Sequence, residues 1–384
     1  MGVNFLKLQP QIRSLGETAR KRKSELDLKL ISCHDLLREH DSDLVSLQQR
    51  VEEAASKNAG LRCAVPVHEN LLLHHPASRP APVCTILSAD GSQINPDAHG
   101  SVFFGLVNVG VFRIRPGSGE SPGVKVFSDL LYDETLYSNG RMMSEDLIAL
   151  HRDVEERRIL AELAKNEEAP LLTLTDGPLE LYHEPRQDQQ FKELFQAYLS
   201  ALDELALMNV IIAGYVDRPR ADLVVRLLEL LIPMEQSKND LQDRPLGGIT
   251  DLSLFREILK PGERSAIFRI LSRSASAFEG RKALHFFYLN VGTEHLPALA
   301  RVEIPLWVIE DPTALDTLQS VLVEQSHQAG SHPYPYPLIR AHEIAVVKME
   351  DRQQLTNMIE TELVQRGFPP GLSSNKQFNK QNLG

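Results

Sequence analysis

The stretches Ile86-Leu87-Ser88-Ala89-Asp90-Gly91-Ser92 and Leu171-Leu172-Thr173-Leu174-Thr175-Asp176-Gly177-Pro178 both run from apolar residues into an Asp-Gly pair. Short apolar runs of this kind predict buried strands. A carboxylate at the end of a buried strand, followed by a glycine that allows a sharp turn, can present a ligand to a hard cation. Taken alone, each Asp-Gly pair more often indicates an ordinary turn. The two copies together suggest one shared metal centre.

Length and composition describe an ordinary globular protein. The chain has 384 residues, 42% hydrophobic and 24% charged, enough for one large domain with extensions or for two domains. No run approaches the ~18 to 20 apolar residues of a membrane helix, and the first residues lack a secretory signal. The sequence therefore predicts a cytoplasmic protein with no membrane association.

Charge and cysteine content exclude several classes. The net charge of −11 argues against a protein that coats nucleic acid, because nonspecific affinity depends on phosphate neutralisation by Lys and Arg. The charge is compatible with an enzyme that binds DNA only at a local site through metal ions and a few basic loops. Cys33, Cys63 and Cys84 form no Cys-x-x-Cys pair, which argues against a structural zinc site or a disulfide framework.

The chain divides into three segments. Phe5–Ala64 is rich in helix formers, so we expect residues 1–75 to form a helical extension for dimerisation or partner docking. Residues 83–366 are expected to form the catalytic domain. The tail 367–384 is rich in Asn, Gln, Lys, Ser and Gly and is expected to be disordered.

In the middle of the chain, three strand-like segments are followed by alternating helices and strands, which predicts a mixed α/β sheet with flanking helices. A long final helix is expected over Leu338–Arg366. The first seven elements expected in this segment are, in order, strands Val83–Ala89, Val102–Ile114 and Val124–Tyr132, helix Ser144–Lys165, strand Leu171–Thr175, helix Gln189–Met208 and strand Asn209–Tyr215.

If the first and fourth of these strands are parallel neighbours, Asp90 and Asp176 emerge at the same edge of the sheet. The helix between them is expected to supply a third acidic ligand. Glu156, Leu160 and Leu163 share a helix face by their i, i+4, i+7 spacing, and a buried acid on such a face needs a partner or a cation. Glu156 is therefore the favoured third ligand. Its neighbour Glu155 is an alternative, and a further alternative is that neither glutamate is a ligand.

Three carboxylates around one cleft suit Mg²⁺ or Mn²⁺, which prefer oxygen ligands. Two such ions can activate a water and stabilise the leaving oxygen of a phosphodiester. Phosphodiester hydrolysis is the chemistry that this donor set favours.

Two further segments contribute candidates. Prolines precede the last helix, so Tyr334 and His342 can be held rigidly near its start, where a histidine can shuttle protons or touch a phosphate. A packed loop explains the segment equally well. Arg218 and Arg220 follow the fifth strand and are candidates for contacts with DNA phosphates, although an ordinary loop is the simpler reading.

Four motifs in this order resemble the NurA nuclease family over about Val83 to Arg366. They are Ala89-Asp90-Gly91-Ser92, Thr175-Asp176-Gly177-Pro178-Leu179, Ala300-Arg301-Val302-Glu303-Ile304-Pro305 and Tyr334-Pro335-Tyr336-Pro337-Leu338-Ile339-Arg340-Ala341-His342-Glu343.

The resemblance implies an RNase H-like fold and a manganese-dependent nuclease that degrades single- and double-stranded DNA from 5′ ends and cuts single strands internally. It also implies a homodimer that docks on the hexameric HerA ATPase and translocase in DNA end resection. By similarity, Asp90, Glu156 and Asp176 are expected to be the metal ligands, and Tyr334 and His342 to complete the site.

Two rival functions keep the same fold. One is a non-catalytic adaptor that binds the ring ATPase without cutting; the presence of every candidate ligand disfavours it. The other is a metal-dependent phosphatase for small phosphate esters. That enzyme predicts a closed pocket, whereas a nuclease predicts an open channel with basic residues such as Arg218 and Arg220.

Overall fold

The computed structural model describes residues 3–97, 100, 102–138, 141–183, 187–232, 244–328, 330 and 332–368. The chain forms two compact units, each made from separate stretches of sequence. Unit 1 consists of Met1–Ser78, Val216–Ala277 and Ala283–Glu303, and unit 2 of Arg79–Tyr215, Phe278–Lys282 and Ile304–Gly384. From residue 369 onward the expected disordered tail lies outside the described residues, and the domain boundaries proposed from sequence stay a prediction.

The strands and helices are numbered here in chain order. The strands are β1 Cys63–Pro66, β2 His74–Pro76, β3 Thr85–Ile94, β4 Gly105–Ile114, β5 Gly123–Leu131, β6 Tyr137–Ser138, β7 Arg141–Met142, β8 Leu171–Asp176, β9 Ile211–Asp217, β10 Glu263–Ser265, β11 Phe268–Leu271, β12 Leu284–Asn290 and β13 Leu299–Pro305. The helices are α1 Phe5–Glu39, α2 Leu44–Lys57, α3 Asp133–Leu136, α4 Glu145–Ala164, α5 Gln189–Leu207, α6 Leu223–Glu229, α7 Asp251–Phe255, α8 Leu306–Ile309, α9 Pro312–His327, α10 Tyr336–Ala345 and α11 Met349–Gln365.

The sheet of unit 2 has the strand order β9-β8-β3-β4-β5. β3 pairs with β4 and β4 with β5 in antiparallel fashion, whereas β8 is parallel to both β3 and β9. The connection from β5 to β8 contains α3, β6, β7 and α4, and α5 forms the crossover between the parallel strands β8 and β9. The order of elements predicted from sequence is confirmed, as is the RNase H-like mixed α/β class with flanking helices.

The first Asp-Gly pair does not end its strand, so that part of the sequence interpretation was wrong. β3 continues through Asp90 and Gly91 to Ile94, because β4 supplies an antiparallel partner as far as the pair Ile94 and Leu106. Only the parallel pairing with β8 stops earlier, at Ala89. The second pair behaves as expected: Asp176 ends β8, and Gly177 turns the chain with φ +98°.

Helix α10 lies unusually close to the strand pair β3 and β4. A Cβ added at Gly110 would lie 2.5 Å from the backbone N of Ala345 and 2.8 Å from the O of Ala341. The carbonyl of Ala345 also accepts hydrogen bonds from Ser92 Oγ at 2.5 Å and Asn108 Nδ2 at 2.8 Å. Because Gly110 has no side chain, the backbone of α10 can pack directly against β4.

The single final helix expected over Leu338–Arg366 is two helices. α10 ends at Ala345, and Val346 leaves the helical region with ψ 119° before α11 begins at Met349. The two side chains that bond to the Ala345 carbonyl take an acceptor that a continuous helix would use internally. No Gly or Pro marks the break, so helix propensity alone could not locate it.

Unit 1 contains the sheet order β1-β11-β12-β13, with β10 pairing with both β12 and β2. The helical region expected over Phe5–Ala64 consists of α1 and α2 with a break between them, and the chain then enters β1 at Cys63. A tertiary contact fixes the break, because Asp41 accepts hydrogen bonds from the backbone N–H groups of Leu71 and Leu72. Among the described residues, no helix is both long and apolar enough to span a membrane.

Replacement of Gly110 by alanine tests the packing of α10. Gly110→Ala should lower the free energy of unfolding by about 1 to 3 kcal/mol, because backbone atoms of α10 must move to admit the methyl group. Urea denaturation measures this difference.

Gly16→Ala is the matched control, since nothing lies within 4 Å of a Cβ at this α1 position. Removing a helix glycine there should leave stability unchanged or raise it by up to about 1 kcal/mol. If Gly110→Ala is as stable as the wild type, α10 does not pack on the strands as described.

Candidate functional site

Two acidic side chains lie at one edge of the unit 2 sheet. The parallel pairing of β3 and β8 ends with Ala89 opposite Thr175, so Asp90 and Asp176 occupy the next position on each strand. The predicted neighbouring, parallel arrangement of these strands is confirmed. The Asp90 side chain is 16% exposed, whereas Asp176 is exposed.

His342 contacts Asp90 directly. Its Nδ1 lies 2.6 Å from Asp90 Oδ2, and because an ionised carboxylate only accepts, the imidazole is the donor. The second carboxylate oxygen of Asp90, Oδ1, accepts the Gly91 N–H at 2.9 Å. His342 belongs to α10, so the close approach of α10 at Gly110 brings the imidazole to Asp90. The His342 side chain is 65% exposed and therefore accessible to a substrate.

Glu156 reaches the same edge from helix α4. It is only 6% exposed, and a Cβ at Gly91 would lie 2.6 Å from its Oε1. The side chain of Glu155 is instead held in an ion pair by Arg158, with 2.7 Å between Oε2 and Nη2. Of the two glutamates left open by the sequence, the structure thus brings Glu156, and not Glu155, to the Asp90-Gly91 strand segment.

The surroundings of Glu156 disfavour an uncompensated negative charge. Burial raises the pKa of Glu156 well above its ordinary value, and the nearby carboxylates of Asp153 and Asp90 raise that pKa further. The guanidinium groups of Arg152 and Arg157 lower the pKa of Glu156. A cation close to this cluster would stabilise the ionised carboxylates.

Three residues beside Glu156 were missed in the sequence. Arg152 Nη2 donates to Asp153 Oδ1 at 2.8 Å, and His183 Nε2 lies 2.7 Å from Asp153 Oδ2. Arg152 and Asp153 precede Glu156 by four and three residues, a spacing that places them on its helix face and could have identified them. His183 lies in the loop after β8, where no local pattern indicates its position.

A buried arginine supports the end of β8. Arg157 is 2% exposed, and its Nη2 donates to Thr175 Oγ1 at 2.8 Å. Its guanidinium carbon lies 5.8 Å from the centroid of the Tyr198 ring, a cation–π distance. Thr175 immediately precedes Asp176, so these contacts fix the backbone that carries the second aspartate.

Tyr334 lies beside the same strand end. Its ring meets that of Tyr215 edge to face, with the centroids 5.3 Å apart. Tyr215 is paired with Asp176 between β9 and β8, so the contact places Tyr334 next to the strand position of Asp176. The structure therefore brings His342 and Glu156 to the Asp90-Gly91 segment of β3 and places Tyr334, from the segment before α10, beside the strand position of Asp176.

Arg218 and Arg220 are both exposed and belong to unit 1. Arg218 adopts a left-handed backbone with φ +42°, and its Nε lies 3.6 Å from Asp217 Oδ2. Their expected contact with DNA stays a prediction.

The donor set suits a hard divalent cation in its chemistry. Asp90, Glu156 and Asp176 offer only carboxylate oxygens, the ligands that Mg²⁺ and Mn²⁺ prefer, and Gly91 leaves the space over which Glu156 extends. As the side chains are placed, no three His, Cys, Asp or Glu residues of the described chain converge closely enough to hold an ion.

Solved structures share the fold. The NurA nuclease from Sulfolobus solfataricus superposes with a TM-score of 0.50 at 11% sequence identity, covering 87% of this chain and 97% of that one. The catalytic domain of human endonuclease V gives a TM-score of 0.34 at 13% identity, covering 83% of this chain and 98% of that one. At such identity the first similarity concerns the fold alone, and the second is too distant to bear on function. No curated protein matches the chain.

The family comparison covers most of the chain. The NurA domain matches residues 84–347, a stretch that runs from β3 to the segment after α10. It includes each of the candidate site residues, Asp90, Glu156, Asp176, Tyr334 and His342. The chain belongs to the NurA domain family.

Proposed function

We propose that this protein is a metal-dependent deoxyribonuclease that hydrolyses phosphodiester bonds of DNA beside Asp90, Glu156 and Asp176. The observation that carries the proposal is the buried Glu156 carboxylate, which lies against Gly91, the residue that follows Asp90 on β3. An acid whose pKa is raised by burial and by neighbouring carboxylates is typical of functional sites. Membership of the NurA domain family supports the same activity.

The carboxylates of Asp90, Glu156 and Asp176 would hold Mn²⁺, with Mg²⁺ as the alternative ion. Such an ion, when bound, activates a water and neutralises charge on the phosphate. The protein's own part is to hold the ligands in place. His342 orients the Asp90 carboxylate through Oδ2, and Arg157 fixes the strand segment that precedes Asp176.

Two side chains would act on the substrate. His342 is exposed beyond its bond to Asp90, so its ring can contact a phosphate or carry a proton. Tyr334 has its ring fixed against Tyr215 and is suited to bond to or stack on a nucleotide.

Finer features of the proposal rest on the family resemblance. The enzyme would act as a 5′ to 3′ exonuclease and a single-strand endonuclease in DNA end resection and repair. It would form a homodimer that works with a HerA-type hexameric ATPase, and Arg218 and Arg220 would contact DNA phosphates. The structural relative from Sulfolobus solfataricus is itself described as a NurA nuclease.

Conservative replacement of the carboxylates tests the metal site. Asp90→Asn, Glu156→Gln and Asp176→Asn should each lower the rate of Mn²⁺-dependent cleavage of end-labelled linear DNA by a factor of ~100 or more, because each change removes an anionic oxygen ligand. Gel-resolved cleavage rates measure the loss.

Glu155→Gln is the matched control on the same helix. Its carboxylate pairs with the exposed Arg158 and not with the Asp90-Gly91 segment, so cleavage should stay within about twofold of the wild type. Unimpaired cleavage by all three site variants would refute the assignment. A wild type that never cuts, with or without a ring ATPase, would favour the adaptor.

Two replacements of His342 separate its roles. His342→Ala removes both the bond to Asp90 and the proton carrier, and should lower kcat by a factor of ~100, within the usual range for acid–base groups. His342→Asn keeps a donor toward Asp90 and should retain more activity than the alanine variant. Equal kcat values for the wild type and His342→Ala would show that the imidazole takes no part.

The direction of degradation is tested with duplexes labelled at one end only. A 5′-labelled strand should release its label at once as short products, while a 3′-labelled strand should shorten progressively, because a 5′ to 3′ exonuclease removes nucleotides from the 5′ end. The reverse pattern would contradict the polarity and leave the nuclease assignment intact.

A further inference from the structure

Arg152 occupies the centre of the carboxylate cluster. Its side chain crosses the strand at Gly91, where a Cβ would lie 2.4 Å from Arg152 Cγ and 2.9 Å from Cδ. Its Nε lies 3.6 Å from Glu156 Oε1, and Asp90 is also close enough to favour the charged guanidinium. Gly91 is therefore needed for the path of Arg152 as well as for Glu156.

The contacts of Arg152 are unequal. Nε and Nη2 both bond to Asp153 Oδ1, at 3.1 and 2.8 Å, whereas the contact with Glu156 at 3.6 Å exceeds hydrogen-bond length. Asp153 is itself held from the other side by His183. A change at the cluster would thus break the loose Glu156 contact first and leave the guanidinium tethered to Asp153.

The charges explain why an arginine is needed there. The carboxylates of Asp153 and Glu156 both lie against Arg152, and Asp90 belongs to the strand that Arg152 crosses, so three negative charges repel one another near this guanidinium. Arg152 offsets part of that repulsion, and a divalent cation would offset more of it. The arginine and the cation would therefore compete for the same Glu156 oxygen.

We propose that Arg152 is the counter-ion of the metal site. When the divalent cation binds, Arg152 gives up its contact with Glu156 and then binds the phosphodiester of the substrate. The inference rests on the proposed nuclease function and names a substrate-binding residue for it. A guanidinium suits the second task because its planar fork donates two parallel hydrogen bonds to a phosphate. The tether to Asp153 keeps it at the site during the exchange.

Calorimetric titration with Mn²⁺ alone, in the absence of DNA, tests the competition. Arg152→Gln should bind Mn²⁺ about tenfold more tightly than the wild type, because the competing cation is gone, and a tenfold change corresponds to ~1.4 kcal/mol. The same variant should show a KM for DNA raised by about tenfold, through loss of the phosphate contact.

Arg158→Gln is the matched control, since Arg158 lies on the same helix and pairs with Glu155 outside the cluster. Its Mn²⁺ affinity and KM should equal those of the wild type. Arg152→Lys keeps the positive charge and loses the fork. It should therefore retain wild-type Mn²⁺ affinity while its KM rises, and it provides the test if Arg152→Gln fails to fold, as judged by thermal unfolding.

The possible outcomes are distinguishable. Mn²⁺ affinity that is unchanged or weaker in Arg152→Gln, in an enzyme that still cleaves DNA, overturns the counter-ion role alone. Tighter Mn²⁺ binding by Arg152→Lys than by the wild type contradicts it as well. A wild type that binds no Mn²⁺ and cuts no DNA overturns the proposed function, and this inference with it.

Discussion

Two glycines on adjacent strands allow two helices to approach the same point of the sheet from opposite faces. Gly110 pairs with Asp90 and therefore shares its face, where it admits the backbone of α10. Gly91, one residue later, points to the other face and admits the side chains of Arg152 and Glu156 from α4. The position of Asp90 between His342 and Glu156 depends on this double approach.

The electrostatics of the site follow from that packing. Bringing Glu156 into a buried position near other carboxylates costs free energy, which Arg152 and Arg157 partly offset. The protein thus holds an excess of negative charge at one sheet edge, where a divalent cation would be stabilising. This local arrangement is consistent with an acidic protein of net charge −11 that acts on DNA, because the cation and a few arginines would meet the phosphates.

The sequence predicted the order of the elements along the chain and the buried position of Glu156, because period, length and helix-face spacing are local signals, while the metal-binding role of the carboxylates stays a prediction. Predictions from the sequence were wrong for features that depend on residues distant in the chain. β3 runs past Asp90 because β4 remains beside it, and the last helix breaks where Ser92 and Asn108 bond to a helix carbonyl. His183 was not identified from the sequence, because it lies in a loop without a recognisable local pattern and approaches Asp153 only in the folded chain.

The most direct test of the account is the anomalous diffraction of crystals of the wild-type protein grown with Mn²⁺. We expect a manganese peak within coordination distance of carboxylate oxygens of Asp90 and Glu156, with the Arg152 guanidinium displaced from Glu156 and still bonded to Asp153. A manganese peak elsewhere, with Arg152 still beside Glu156 in a protein that cleaves DNA, would contradict it.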